Sequence, residues 1–203
     1  MRGVLSFRAM RAKRWVVLCA ALAGLAPLAA ARDVSASVSV AITFDALVHE
    51  SSAVVVGTAA EQRSVWEGAR IYTYSRVHVD SAIAGELGAD DEVWVRTMGG
   101  VVGKVGQIVE GEAELTVGRP SLVFLRRSPV GAYVVTARAQ GQFGLYTDDQ
   151  KQLRVRKSGG VGAVVLPNGT DGTAALAGDV IHGRVVSDAA KDIATAWSRA
   201  HAP

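Results

Sequence analysis

The run Leu122-Val-Phe-Leu125 is apolar without a break and is bounded by Gly118-Arg119-Pro120 on one side and Arg126-Arg127-Ser128-Pro129 on the other. Four apolar residues between turn signals predict a strand buried on both faces. A chain that must cover both faces of one strand has to wrap further sheet or helix around it. Short apolar segments suited to that task flank the run at Val54 to Thr58, Ile71 to Val79, Val93 to Thr97 and Tyr133 to Arg138, with Gly, Asp or Pro in nearly every gap. This spacing predicts a mainly β fold, a small antiparallel barrel or sandwich.

The flanks add helices. Thr43 can cap a helix whose first turn carries Asp45 and whose Phe44, Leu47 and Val48 share a face. From Ser187 onward a second helix is expected, capped by Ser187 or Asp188, with Ala190, Ile193, Ala194 and Trp197 on one stripe. Between the helices, Gly57 inside a valine run marks a bulge or a close backbone approach. Glu61 to Arg70 is polar, with Trp66 to Arg70 as the expected hairpin connection. Ile71 to Val79 alternates, so Ile71, Thr73, Ser75, Val77 and Val79 face one way and Tyr72, Tyr74, Arg76 and His78 the other. Trp94 and Arg96 alternate in the same sense against Val93, Val95 and Thr97. Gly99 to Gln107 reads as a glycine-rich hairpin, and Glu110, Glu112 and Glu114 as a solvated acidic loop. Gln142 to Tyr146 and Leu153 to Arg156 are further short strands, the latter with its arginines outward, in a looser extension that starts at about residue 148.

The first 31 residues carry a different message. Arg2, Arg8, Arg11, Lys13 and Arg14 form a basic start, Trp15 to Leu28 an apolar stretch, and Ala29-Ala30-Ala31 a small-residue cleavage site, the pattern of a secretory signal peptide. A membrane anchor needs about 20 apolar residues, and this stretch is shorter and holds Gly24 and Pro27. The expected product is exported, periplasmic or extracellular, with no stable anchor, a lead-in at 32–42 and a single domain over 43–203. Of the chain's 22 Lys and Arg, five lie in the leader, whereas all 19 Asp and Glu lie beyond it, so the net +3 of the whole chain becomes about −2 after removal. No basic surface for nucleic acid remains. The one cysteine, Cys19, leaves with the leader, so the domain must hold its sheet by apolar packing without disulfides.

Familiar catalytic signatures each fail at a named residue. His49-Glu50 begins a zinc-protease helix but Ala53 stands where the second histidine belongs. Gly103-Lys104 lacks a phosphate loop's first glycine, replaced by Met98, and its Ser or Thr, replaced by Val105. Gly160-Val-Gly162 lacks the third glycine of a dinucleotide fingerprint, replaced by Val165. No Gly-x-Ser-x-Gly elbow occurs, and His49, His78, His182 and His201 show no ligand spacing. No catalytic, metal or cofactor site is therefore expected. The candidate binding residues are Tyr72, Tyr74, Arg76, Trp94 and Arg96, because aromatic and basic side chains on one strand face can stack on and pair with anionic groups. The same set also reads as cross-strand pairing on an outer face. Asn168-Gly169-Thr170 matches both a glycosylation sequon and a turn.

Ser52 to Thr58, Tyr72-Thr-Tyr74 leading to Val77-His-Val79, Val93 to Thr97 with Gly99-Gly100, and Val117 to Leu125 together resemble a layout found in exported bacterial proteins of uncharacterised function. The layout is also similar to the netrin-like module of tissue inhibitors of metalloproteinases. The resemblance spans about Phe44 to Arg138 and implies an OB-like barrel with a short N-terminal helix and a C-terminal helix. Those inhibitors are implied to chelate the protease zinc through a mature N-terminal cysteine, which this chain lacks. The function expected is an exported, non-enzymatic binding or interaction module. Its alternatives are a protease-associated or protease-inhibitor-like protein, whose partner would be an exported protease, and an oligosaccharide-binding barrel.

Overall fold

Both faces of Leu122 to Leu125 are buried, each residue at 1% exposure or less, and the rest of the chain is arranged so as to cover them. The computed structural model describes residues 39–162, 164–166 and 175–202. The leader expected at 1–31 and the Asn168 sequon lie outside the described residues.

The elements in order are β1 (Ser39–Val40), α1 (Phe44–His49), β2 (Ala53–Glu67), β3 (Arg70–Gly85), β4 (Glu92–Met98), β5 (Gly100–Val102) and β6 (Val105–Gln107). They continue as β7 (Pro120–Arg127), β8 (Tyr133–Val135), β9 (Gln142–Thr147), β10 (Leu153–Lys157), β11 (Val164–Val165), α2 (Ala177–Ile181) and α3 (Val186–Ala200). The fold is mainly β with a C-terminal helix. One seven-stranded sheet has the order β10-β9-β7-β2-β3-β4-β8, and β8 also pairs with β7, so that β7, β2, β3, β4 and β8 close into a ring of five strands. The ring holds one apolar cluster, built around Val55, Val77, Val79, Val95, Val123 and Leu125. A second cluster lies outside it, where α1, α2, α3, β9 and β10 pack Leu47, Val48, Ile181 and Ile193 against Val54, Val56, Leu122 and Phe124. The alternation of β2 and β7 thus feeds two cores at once.

Thr43 caps α1 as expected, its Oγ1 accepting from the Ala46 amide. Gly57 sits at a register shift of β2, where a Cβ would come within 2.7 Å of Val77 Cγ1 and 2.9 Å of the His78 carbonyl oxygen.

Several elements differ from the sequence expectation. The polar stretch Glu61 to Glu67 belongs to β2, and the connection expected at Trp66 to Arg70 narrows to Gly68-Ala69, which turns the chain into β3, a hairpin with strands of 15 and 16 residues. Its polarity reflects an arm that α1 and α3 do not cover. The strand expected from Tyr133 to Arg138 stops at Val135, since Ala137 and Arg138 adopt φ of 53° and 57° and lead into a 3-10 turn. This break lets β8 and then β9 use successive stretches of the same β7 edge. The cap of α3 is Val185 and not Ser187 or Asp188, and the buried stripe is Ala189, Ile193 and Ala196, one residue off the expected one at two of its places. Among the described residues beyond 148, β10 pairs with β9 over its whole length and Val155 is fully buried. Ser39–Val40, at the end of the lead-in, pairs in parallel with Val164–Val165, and Gln140 bonds both the Val40 carbonyl and the Ile42 amide. No helix among the described residues is long and apolar enough to cross a membrane.

The ring closes between β4 and β8 through a single register pair, Val95 with Tyr133. Tyr133 is buried, and its hydroxyl donates to Glu86 Oε1 at 2.8 Å while Arg127 donates to the same oxygen at 2.8 Å. Burial, followed by this bond to a carboxylate, pushes the phenol up to about 12. An unfolded tyrosine ionises near 10, so the folded state keeps a proton that the unfolded state has lost, and stability falls as pH rises from about 10 to about 12. Absorbance titration of the folded chain at 295 nm should show Tyr133 still protonated at about pH 11, and Tyr133→Phe should remove its share of the late absorbance rise.

Candidate functional site

The bulge between Ala59 and Glu61 governs what the uncovered arm presents. Before it, Val55, Gly57 and Ala59 face the ring interior; after it, the inward set becomes Gln62, Ser64 and Trp66, paired with Ser75, Thr73 and Ile71. Glu61, Arg63, Val65 and Glu67 are thereby turned to the outer face, beside Arg76, Tyr74 and Tyr72.

All five candidate residues meet on that outer face. Cross-strand register sets Tyr74 opposite Arg96 and Arg76 opposite Trp94. The Arg96 guanidinium lies 3.4 Å from the centre of the Tyr72 ring, and that of Arg63 lies 4.8 Å from Trp94 and 5.9 Å from Tyr74. Three carboxylates complete the lattice. Glu67 accepts from Tyr74 Oη at 2.6 Å and from Arg96 Nη2 at 2.5 Å, and Arg76 is shared by Glu61 at 3.1 Å and Glu92 at 2.8 Å. The bonds from Arg96 and Tyr74 hold the Glu67 carboxyl below the usual carboxylate range, and the bonds from Glu92 and Glu61 push the Arg76 guanidinium higher still. Burial and the Glu67 bond raise the Tyr74 phenol. The rings are therefore already stacked on arginines, and the arginines Arg76 and Arg96 already paired. Arg63, which the sequence alternation did not single out, is the member with no carboxylate partner among the described residues.

The inner face of the same arm forms an open cleft of about 920 Å³. Its floor is Gln62, Ser64, Thr73 and Thr97, from β2, β3 and β4. The hydroxyls of Ser64 and Thr73 lie 2.8 Å apart, Thr73 donates to the Gly99 carbonyl at 2.7 Å, and Gln62 Nε2 donates to Ser75 Oγ at 3.0 Å and to the Leu115 carbonyl. No buried side-chain polar atom among the described residues lacks a partner. One wall is the β5–β6 hairpin, which approaches so closely that a Cβ on Gly100 would lie 2.2 Å from Thr73 Oγ1 and 2.4 Å from Ser64 Oγ.

The other wall is the segment from Ile108 to Val117, where Glu110 and Glu114 are exposed as expected of a solvated acidic loop but Glu112 is not. Ala113 and Leu115 turn inward and close the ring interior, while Gln142 uses its side-chain amide as a strand would, accepting from the Glu114 amide at 2.8 Å and donating to the Glu114 carbonyl at 2.5 Å. Glu112 is largely buried, 3.2 Å from Arg138 Nε. Burial raises its carboxyl above the usual range despite the Ala113 amide and Arg138, which pull the other way. Apolar side chains stand at the lip: Ile108 is 97% exposed, Val101 65% and Val117 47%. Trp66, at the end of the arm, is 49% exposed.

Elsewhere, Trp197 stacks on His201 at 3.9 Å and His201 on His49 at 6.1 Å. Among the described residues no three His, Cys, Asp or Glu side chains stand together as a metal site. Compared with family models, with curated proteins and with solved structures, the chain matches none.

Two outcomes follow from the arm. Gly100 has φ 129° and no room for a side chain, so Gly100→Ala should cost roughly 1–3 kcal/mol in urea unfolding through strain and lost hydroxyl contacts. Because the Glu67 carboxyl is lowered in the folded state, its contribution is complete above the ordinary carboxylate pKa and is lost as pH falls through the folded value. Glu67→Gln should therefore lower the melting temperature at neutral pH, with the difference from the parent vanishing in acid.

Proposed function

We propose that this chain is an exported, non-enzymatic binding module, that its five-stranded ring is a small barrel of OB type, and that it engages its partner through the cleft on the inner face of the β2–β3 arm. The observation that carries this reading is the composition of the cleft: a floor whose polar groups are mutually satisfied, and a lip of bare aliphatic side chains led by Ile108 at 97% exposure. Apolar groups gathered at a concave rim are costly in water unless something covers them, and such patches mark contact sites. The leader pattern of residues 1–31 supports export. The failure of each catalytic signature at a named residue supports a role by contact.

The outer rings serve this reading as a stiff backing. Arg63 and Arg96 occupy the faces of Trp94, Tyr74 and Tyr72, which leaves less ring surface for a sugar to stack on. An exported protein with an apolar projection is the partner chemistry that the lip favours.

A photo-crosslinking residue at position 108, introduced in producing cells, should capture a discrete partner, whereas the same residue at Leu153, also exposed but on β10, should not. Ile108→Asp should weaken the captured complex about tenfold or more, as loss of a central apolar contact does, with an unchanged melting temperature. Equal labelling from both positions would count against the cleft, and a hydrolytic activity abolished by one substitution would count against the non-enzymatic reading.

A further inference from the structure

The outer half of β2 is an open sheet edge whose residues are complementary to themselves. β7 leaves β2 at the pair Thr58 with Pro120, and Val117 bridges it once more at Ala59. From Arg63 to Glu67 no described strand pairs with β2 on that side. The direction of the free groups follows from β3. The Ile71 amide donates to Gln107 Oε1 at 2.8 Å and the Ile71 carbonyl accepts from the Gly99 amide at 2.8 Å, so both point away from β2. Trp66 is opposite Ile71. In an antiparallel ladder, bonded and non-bonded pairs alternate, so Trp66 and Ser64 turn their own N–H and C=O groups to the open edge, and Arg63, Val65 and Glu67 turn theirs to β3.

We infer that this edge pairs with the same edge of a second copy of the chain, antiparallel, about a two-fold axis at Val65. In that register the Ser64 amide donates to the Trp66 carbonyl of the second copy and the Trp66 amide to its Ser64 carbonyl, and symmetry repeats both bonds. Val65 meets Val65 in a non-hydrogen-bonded pair, where side chains approach most closely. Arg63 comes opposite Glu67 of the second copy. Among the described residues Arg63 is the outer-lattice arginine with no carboxylate partner, so the pairing supplies what its stacking on Trp94 and Tyr74 leaves out. Trp66, half exposed in one chain, is covered on the inner side next to Ser64 of the other.

Unprotected edges are ordinarily blunted by inward charges, prolines or like-charge repulsion. Arg63-Ser-Val-Trp-Glu67 has no proline, and its two charges attract in this register. Pairing of one copy is isologous and closes at two, because each chain has a single such edge on β2. The result is a continuous sheet running through β4, β3 and β2 of both chains, with the two clefts on the same side. This inference stands on the edge geometry and does not rest on what the clefts bind.

The full chain, expressed with its leader and recovered as processed, should have twice its monomer mass by light scattering at about 100 µM, as a small interface of this kind allows. Carrying Cys19→Ser, a Val65→Cys variant should form a disulfide-linked dimer under air oxidation, and a Ser198→Cys variant on α3 should not. Val65→Lys, which sets two ammonium groups face to face, should raise the dimer dissociation constant at least tenfold without lowering the melting temperature of the dilute, monomeric chain. A monomeric parent at that concentration, a Val65→Cys variant that remains uncrosslinked, or a dimer indifferent to Val65→Lys would each overturn the inference.

Discussion

Everything in this molecule hangs from the pairing of residues 53–57 with residues 121–125, two strand segments with almost no solvent on either face. A strand in that position satisfies its backbone only through its neighbours and its side chains only through two separate cores. One core is the inside of the ring, and the other is the space beneath the helices. With no disulfide available beyond Cys19, burial on this scale is what makes the closed sheet stable; each fully buried Val, Leu or Phe contributes about 1.5–3 kcal/mol. The ring has to close, but it does so with little redundancy: β8 is three residues long and touches β4 through Val95 and Tyr133.

The same β2 strand then leaves the packed region, and its chemistry changes at once. Valines and alanines give way to Glu61, Gln62, Arg63 and Ser64. Below the ring the strand is held by apolar contact; along the arm it is held by a lattice of guanidinium, carboxylate and aromatic groups outside and by hydroxyl and amide bonds inside. Surface ion pairs taken singly contribute little. Here Arg96, Glu67, Tyr74 and Tyr72 restrain each other's rotamers, and the gain is stiffness in a long two-stranded hairpin that would be marginal alone.

Much of this was legible in the sequence because it depends on local pattern. The four-residue run of β7, the alternation of β3 and β4, the Thr43 cap and the close approach at Gly57 all follow from period, propensity and turn chemistry. The parts that were not legible depend on tertiary context. Polar residues after Ala59 resemble a loop unless one knows that both ends of the hairpin are pinned, and the bulge there hides Arg63 from any reading by strict alternation. The end of β8 at Val135 is set by two non-glycine residues with positive φ, a conformation that local propensity disfavours. The inward turn of Glu112, Ala113 and Leu115 is imposed by the side chains of Gln142 and Gln62, 28 and 53 residues away in sequence. Of the candidate site, the grouping of Tyr72, Tyr74, Arg76, Trp94 and Arg96 on one face was visible, but their mutual saturation was not, nor was the cleft behind them.

The extra residue at Ala60 divides one strand into two territories that answer to different demands. Before it, Val54 and Val56 feed one core and Val55 and Ala59 the other, whereas after it the strand splits into an outward charged set and an inward polar one. Were Ala60 paired in regular alternation and not set aside as an extra residue, the sets would swap, turning the arginine ladder inward and the hydroxyl floor outward. One residue that pairs with nothing thus decides which chemistry the arm displays to its surroundings.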